Sequence, residues 1–111
     1  MNATPGKPPK TYLRFIDRYP LLGEAWELMA EEGSKGPLDG ETSRLVKLGI
    51  AIGAQREGAV HASVRKALAM GISNEAIEQV VALSASTLGL PATVAAHTWV
   101  EDVTGADGAG S

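Results

Sequence analysis

Cysteine is absent from this sequence of 111 residues, and aromatic residues are scarce, with two Trp, two Tyr and one Phe. Without cysteine the chain cannot form a disulfide, a thiolate nucleophile, a cysteine-ligated zinc site or an iron–sulfur cluster. With so few aromatic rings, we expect a core built from close contacts between small and aliphatic side chains.

An excess of positive charge is lacking as well. The chain has ten Lys and Arg residues and thirteen Asp and Glu residues, which gives a net charge of −3. The basic residues are scattered, and Arg65-Lys66 is the only doublet. Nucleic-acid-binding domains and segments that attract anionic lipid carry basic clusters, so we expect neither nucleic acid nor a membrane as a partner.

Long apolar runs are also missing. No stretch approaches the roughly 20 apolar residues that a membrane span needs. Residues 1–10 lack the apolar centre of a secretory signal. We therefore expect a cytoplasmic protein.

The two ends of the chain differ in composition from its middle. Residues 1–10 contain three prolines and no apolar periodicity, which is typical of a mobile arm. Residues 104–111 are mostly small and polar and indicate a disordered tail. The sequence thus predicts an arm over 1–10, one helical domain over 11–103 and a tail over 104–111.

Within residues 11–103, apolar residues recur at spacings of three and four, which is the period of amphipathic helices. No alternating strand pattern is present. The sequence therefore predicts an all-α, single-domain bundle of about six helices. Five residues mark expected helix boundaries as caps or breakers: Pro20, Asp39, Gly71, Ser73 and Pro91.

Several of these predicted helices are apolar on more than one side, and few charges occur between Val80 and Trp99. A domain of this size cannot bury all of that surface within itself. We therefore predict a homo-oligomer whose interface includes the fifth and sixth helices.

The residues best suited to chemistry lie at the start of the fourth helix. Glu57 and His61 are four positions apart, so they share one helix face. A carboxylate beside an imidazole holds the orientation of the ring, and such a pair transfers protons near neutral pH. Val60 and Val64 run beside this face and are candidates for lining a pocket. A solvent-exposed ion pair without a catalytic role has the same spacing, so this alternative stays open.

Three further residues are candidates for binding or packing. Arg44 lies among apolar residues of the third helix, so its cation either extends to water or faces an anionic ligand. Arg56 opposes the helix dipole at the start of the fourth helix, which suggests a partner: the neighbours of Glu57, another subunit or a ligand carboxylate. His97 lies in a helix expected to be packed, which favours a core or interface role. Because the two histidines lack metal-binding spacing, we predict no metal site.

The stretch from Leu45 to His61, LVKLGIAIGAQREGAVH, resembles the centre of the carboxymuconolactone decarboxylase family. The runs ALAMGISNEAI at 67–77 and GLPA at 89–92 also resemble this family in their order and spacing. The resemblance covers roughly residues 20–103. It implies the alkylhydroperoxidase-D-like all-α fold and assembly into trimers or hexamers.

The resemblance implies one of two chemistries. The branch similar to alkylhydroperoxidase D carries two cysteines where this chain has Ala54 and Glu57, so thiol peroxidase activity is not expected. The branch similar to γ-carboxymuconolactone decarboxylase carries an Arg-Glu run before the histidine, as at Arg56-Glu57. That branch implies a cofactor-free decarboxylase for a small lactone or carboxylic acid. Its catalytic residues would be His61 and Glu57, and Arg56 and Arg44 would bind the substrate.

An alternative from a different class is a non-catalytic oligomeric module of the same fold. Such a module would bind a ligand or support assembly without catalysing a reaction. Both hypotheses agree with the residues of this chain.

Overall fold

The computed structural model describes residues 10–108, with side chains from 10 to 105. Within this range the chain forms six α-helices and no strand, so the predicted all-α fold is confirmed. None of these helices has both the length and the apolar character to cross a bilayer. The helices are α1 (Lys10–Arg18), α2 (Pro20–Gly33), α3 (Gly40–Gly53), α4 (Glu57–Ala69), α5 (Asn74–Leu88) and α6 (Leu90–Gly108).

The expected caps and breakers explain most of these boundaries. Pro20 is the first residue of α2, where a missing N–H costs nothing because that group has no partner inside the helix. Ser73 caps α5, since its Oγ accepts a hydrogen bond from the backbone N–H of Ala76 at 3.1 Å. Gly71 follows the end of α4 with φ of 83°, a left-handed conformation that glycine adopts readily.

The chain divides into two compact units, Met1–Gly40 and Glu41–Ser111. The first unit contains α1 and α2. Gly23 is buried there, and a Cβ built on it would lie 2.9 Å from Cγ2 of Ile16, so the close contact of α1 and α2 requires glycine. Much of the apolar surface of this unit stays exposed, including Trp26.

The second unit contains α3 to α6 and the buried core. Burying one aliphatic side chain completely stabilises a fold by about 1.5–3 kcal/mol. Val60 and Val64, expected beside a pocket, are fully buried, because the face of α4 that carries them packs into this core. Trp99 packs against the core from its edge. The core residues are Leu48, Ala51, Ile52, Val60, Val64, Ala67, Ile72, Ile77, Val81, Ala96 and Val100.

Helix α6 differs from its prediction at both ends. It begins at Leu90, so Pro91 is its second residue rather than its first. It continues to Gly108, so residues 104–108, expected in the tail, are helical. Val103 packs against the core, and Oγ1 of Thr104 donates to the carbonyl of Val100 at 3.2 Å, which carries the helix past its expected end. The rest of the tail, 109–111, and the arm up to residue 9 lie outside the described residues.

Candidate functional site

The turn between α3 and α4 sets the start of the candidate site. Gln55 has a left-handed φ of 56°, and its Nε2 donates to the carbonyl of Ile52 at 2.8 Å. Arg56 then takes an extended conformation as the N-cap of α4. Glu57 follows in the first turn, where the helix dipole favours a negative charge. His61 lies one turn further along the same face.

His61 contacts two carboxylates. Its Nε2 lies 2.9 Å from Oδ2 of Asp102 on α6 and 3.9 Å from Oε2 of Glu57. We call these three side chains the His61 cluster. Both carboxylates approach the same ring nitrogen, and Nδ1 makes no hydrogen bond with a described residue. Donation of Nε2–H to Asp102 orients the ring and leaves Nδ1 for another partner.

The His61 cluster is open to water. The side chain of His61 is 25% exposed, and those of Glu57 and Asp102 are 58% and 48% exposed. At such exposure, an imidazole–carboxylate pair contributes at most about 1 kcal/mol to stability. Substitution of Asp102 should therefore change the orientation of His61 while leaving most of the free energy of unfolding in place.

The sequence identified two members of this cluster and missed the third. Asp102 lies 41 positions from His61, and only the packing of α6 against α4 shows which acidic residue of α6 reaches it. One signal was available: Glu101 is four positions after His97 and pairs with it, Oε2 to Nε2, at 3.4 Å. That pairing leaves the neighbouring Asp102 for α4. His97 is 52% exposed within this chain, so the expectation of a core position is wrong, whereas the interface role stays a prediction.

The two arginines predicted to bind substrate lie outside the His61 cluster. The Arg56 side chain is exposed, directly before Glu57, and makes no hydrogen bond or ion pair with the described residues. Nη1 of Arg44 lies 3.5 Å from Oγ of Ser63 on α4. Ser63 follows His61 by two positions, a rotation of about 200° around a helix. Arg44 and His61 therefore contact opposite sides of α4.

Arg44 belongs to a group of four cations on α3 and α4, which we call the basic cluster: Arg44, Lys47, Arg65 and Lys66. Burial lowers the pKa of Arg44 below its usual value. Lys66 is an exposed residue whose ammonium group is partly desolvated by its neighbours. This desolvation lowers its pKa, and the charges of the other three members lower it further. None of the ion pairs among the described residues includes a member of this cluster.

The His61 cluster also offers donor atoms for a metal ion. Its imidazole nitrogen and two carboxylate oxygens all lie within 4.8 Å of one another. Both atom types are common ligands of divalent transition metals. The absence of a metal site therefore stays a prediction from the sequence.

A cavity of about 550 Å³ lies between α3 and α5. This volume is typical of small-molecule sites. Its walls are mostly aliphatic, and their polar groups are the hydroxyls of Thr42, Ser84 and Thr87 and the amide of Gln79. No member of the His61 cluster lines it, so the cavity and the candidate acid–base group are separate features.

Comparison with family models matches residues 20–102 to the carboxymuconolactone decarboxylase family. Comparisons with curated proteins and with solved structures gave no match. The matched range covers most of the chain and includes the whole His61 cluster, with Asp102 as its last residue. The chain therefore belongs to the carboxymuconolactone decarboxylase family, and its lack of cysteine is consistent with the cysteine-free branch.

Proposed function

We propose that this protein is a cofactor-free decarboxylase that acts on a small lactone or carboxylic acid, with His61 as the general acid. The observation that supports this proposal is the arrangement of the His61 ring. Asp102 lies 2.9 Å from Nε2, while Nδ1 has no hydrogen-bond partner among the described residues. Membership of the family supports the general class of reaction.

The chemistry requires two groups from the protein. When the bond between carbon and the carboxylate breaks, CO₂ leaves, and the electron pair spreads through a double bond to the lactone carbonyl. A cation or a hydrogen-bond donor must stabilise that developing charge. A general acid must then deliver a proton to carbon. In this proposal the acid is the imidazolium form of His61, which gives its Nδ1 proton to carbon while its Nε2–H stays bonded to Asp102. The neutral ring then takes a proton back from water.

Arg56 supplies the contact with a substrate carboxylate in this mechanism. Its guanidinium is exposed, directly precedes Glu57 and has no partner among the described residues. A guanidinium binds a carboxylate through two parallel N–H···O bonds, which fixes the orientation of the acid as well as its position. Replacement by lysine keeps the charge and loses this geometry, so Arg56→Lys should weaken substrate binding.

The direct test follows the ultraviolet absorbance of γ-carboxymuconolactone with the wild-type protein, His61→Ala and Asp102→Asn. A matched control is His97→Ala, which removes the other exposed histidine paired with a carboxylate. We expect loss of substrate with wild type and His97→Ala, and a rate lower by about 10²–10⁴-fold in His61→Ala. Equal turnover in His61→Ala would overturn the role of His61. No turnover by wild type with this or related lactone acids would overturn the decarboxylase proposal.

A binding module without catalysis is the second candidate, and the cavity between α3 and α5 favours it. No Asp, Glu, His, Lys or Arg lines that cavity, so it suits binding rather than proton transfer. A Cβ at Gly49 would lie 3.8 Å from Cγ1 of Val80, so a leucine there would project into the cavity. The test measures thermal stabilisation of the protein by small, largely apolar carboxylic acids. Stabilisation that is lost in Gly49→Leu and kept in the control Gly58→Ala, with no turnover of the acid, would support the module.

We also propose that the protein is a homo-oligomer, either a trimer or a hexamer. Large apolar side chains on α5 and α6 are exposed in the single chain, with Leu83 at 65%, Leu90 at 69% and Val94 at 59%. Apolar patches of this kind mark interaction surfaces. Light scattering at micromolar concentration tests the proposal, and a monomer would contradict it.

A further inference from the structure

We propose that the basic cluster binds a small oxyanion, such as inorganic phosphate or a ligand carboxylate, at a site separate from the His61 cluster. This inference goes beyond the proposed function and does not depend on decarboxylation. It follows from the position of the four cations, from an unpaired donor of Arg44 and from the groups that meet beside Ser63.

The first observation is a local excess of positive charge in an acidic protein. The chain has thirteen acidic residues and ten basic ones, yet the four cations of the basic cluster form none of the ion pairs among the described residues. Two of them, Arg65 and Lys66, are adjacent, and Lys66 is close enough to the other three for their charges to disfavour its own. Such a group attracts an anion from solution.

The second observation is that Arg44 carries an unpaired donor. Its Nε is buried and has no hydrogen-bond partner among the described residues. Its Nη1 reaches Oγ of Ser63 only at 3.5 Å, the outer limit of a hydrogen bond. Native proteins rarely leave a buried donor unpaired. A ligand oxygen close to this guanidinium would supply the missing acceptor.

The third observation is that suitable donors converge. Arg44 and Lys47 are three positions apart on α3, and Ser63 and Lys66 are three positions apart on α4, so each pair shares a helix face. The contact between Arg44 and Ser63 brings these two faces together. An oxyanion there would meet a guanidinium fork, a hydroxyl and two ammonium groups. These are the donors that recognise phosphate and carboxylate groups.

The ligand would enter from solvent. Lys47 and Lys66 are exposed residues, whereas Arg44 is half-buried and Ser63 is buried. The site therefore has a closed side that fixes the anion and an open side that attracts it. Because Ser63 and His61 lie on opposite sides of α4, this anion site is separate from the His61 cluster, and the two can be tested independently.

The experiment measures thermal unfolding and calorimetric binding with inorganic phosphate, with sodium chloride added to hold the ionic strength constant. It compares wild type with Arg44→Met, Lys66→Met and His61→Ala. The matched control is Lys35→Met, which removes a cation paired with Glu32 elsewhere in the chain. We expect phosphate to stabilise wild type, Lys35→Met and His61→Ala alike. Arg44→Met should bind at least about tenfold more weakly, as expected for loss of a charged hydrogen-bond donor.

Three results would overturn the proposal. The first is an equal phosphate response in wild type and Arg44→Met, and the second is no response of wild type beyond that of chloride. The third is an Arg44→Met variant that loses its oligomeric state while phosphate has no effect on wild type, because the cluster would then pair with carboxylates of a second copy. Retention of phosphate binding by His61→Ala separates this proposal from the decarboxylase, since the binding assay needs no turnover.

Discussion

Replacement of Arg44 with methionine should stabilise the protein in the absence of a ligand. The Nε of Arg44 is buried without a partner, and an unsatisfied buried donor costs about 1–3 kcal/mol. The contact with Ser63, at 3.5 Å, is too long to offset much of this unfavourable free energy. Methionine keeps the aliphatic packing of the arginine stem. Because Arg44 is only partly buried, we expect the lower half of that range, a gain of about 1–2 kcal/mol.

Urea unfolding followed by circular dichroism measures this gain. For a domain of this size, about 1 kcal/mol corresponds to a rise in Tm of roughly 4–8 °C. Arg65→Met is the matched control, because it removes an exposed cation of the same cluster and should change stability by less than about 0.5 kcal/mol. Added salt screens repulsion between cations, so it should stabilise wild type more than Arg44→Met. A loss of more than about 1 kcal/mol in Arg44→Met would refute the assignment of an unpaired donor.

Three further predictions concern the core, a cap and a titration. Ile77→Ala removes a fully buried side chain and should cost about 2–5 kcal/mol in urea unfolding; a cost under 1 kcal/mol would contradict the core assignment. Ser73→Ala loses the bond to the N–H of Ala76 and should cost about 1 kcal/mol, whereas Ser73→Asp should retain the cap. The folded state lowers the pKa of Lys66 below its ordinary 10.5, so the unfolded chain keeps this proton to higher pH. Wild type should therefore gain stability relative to Lys66→Met as the pH rises towards 10.5. Unfolding curves of both proteins at about pH 8 and pH 10 test this, and a constant difference would contradict it.

The helices could be read from the sequence because their boundaries depend on local chemistry. Pro20, Gly71 and Ser73 act through their own backbone or through a side chain within one turn, and the structure places them at helix ends. The end of α6 could not be read in this way. It depends on Val103 packing against a core that only the fold assembles.

The candidate site was predictable to the same extent. Glu57 and His61 share one helix face, and the spacing alone brings them together. Asp102 reaches His61 from another helix, so it depends on the register of α6 against α4. The sequence shows Arg44 as a cation among apolar residues, but its contact with Ser63 joins two different helices and depends on where the fold places α3 relative to α4. Periodicity also could not separate core residues such as Val60 from residues that line a cavity.

The uneven distribution of the two tryptophans gives each unit of the chain its own optical reporter. Trp26 is 56% exposed on α2 in the first unit, whereas Trp99 packs against the core of the second. Single Trp→Phe variants would isolate the fluorescence of either residue. The emission of Trp99 would then follow the loss of the α3–α6 core, and that of Trp26 would follow the α1–α2 unit. Coincident transitions would show that the two units unfold as one cooperative body, and separate transitions would give the stability of each.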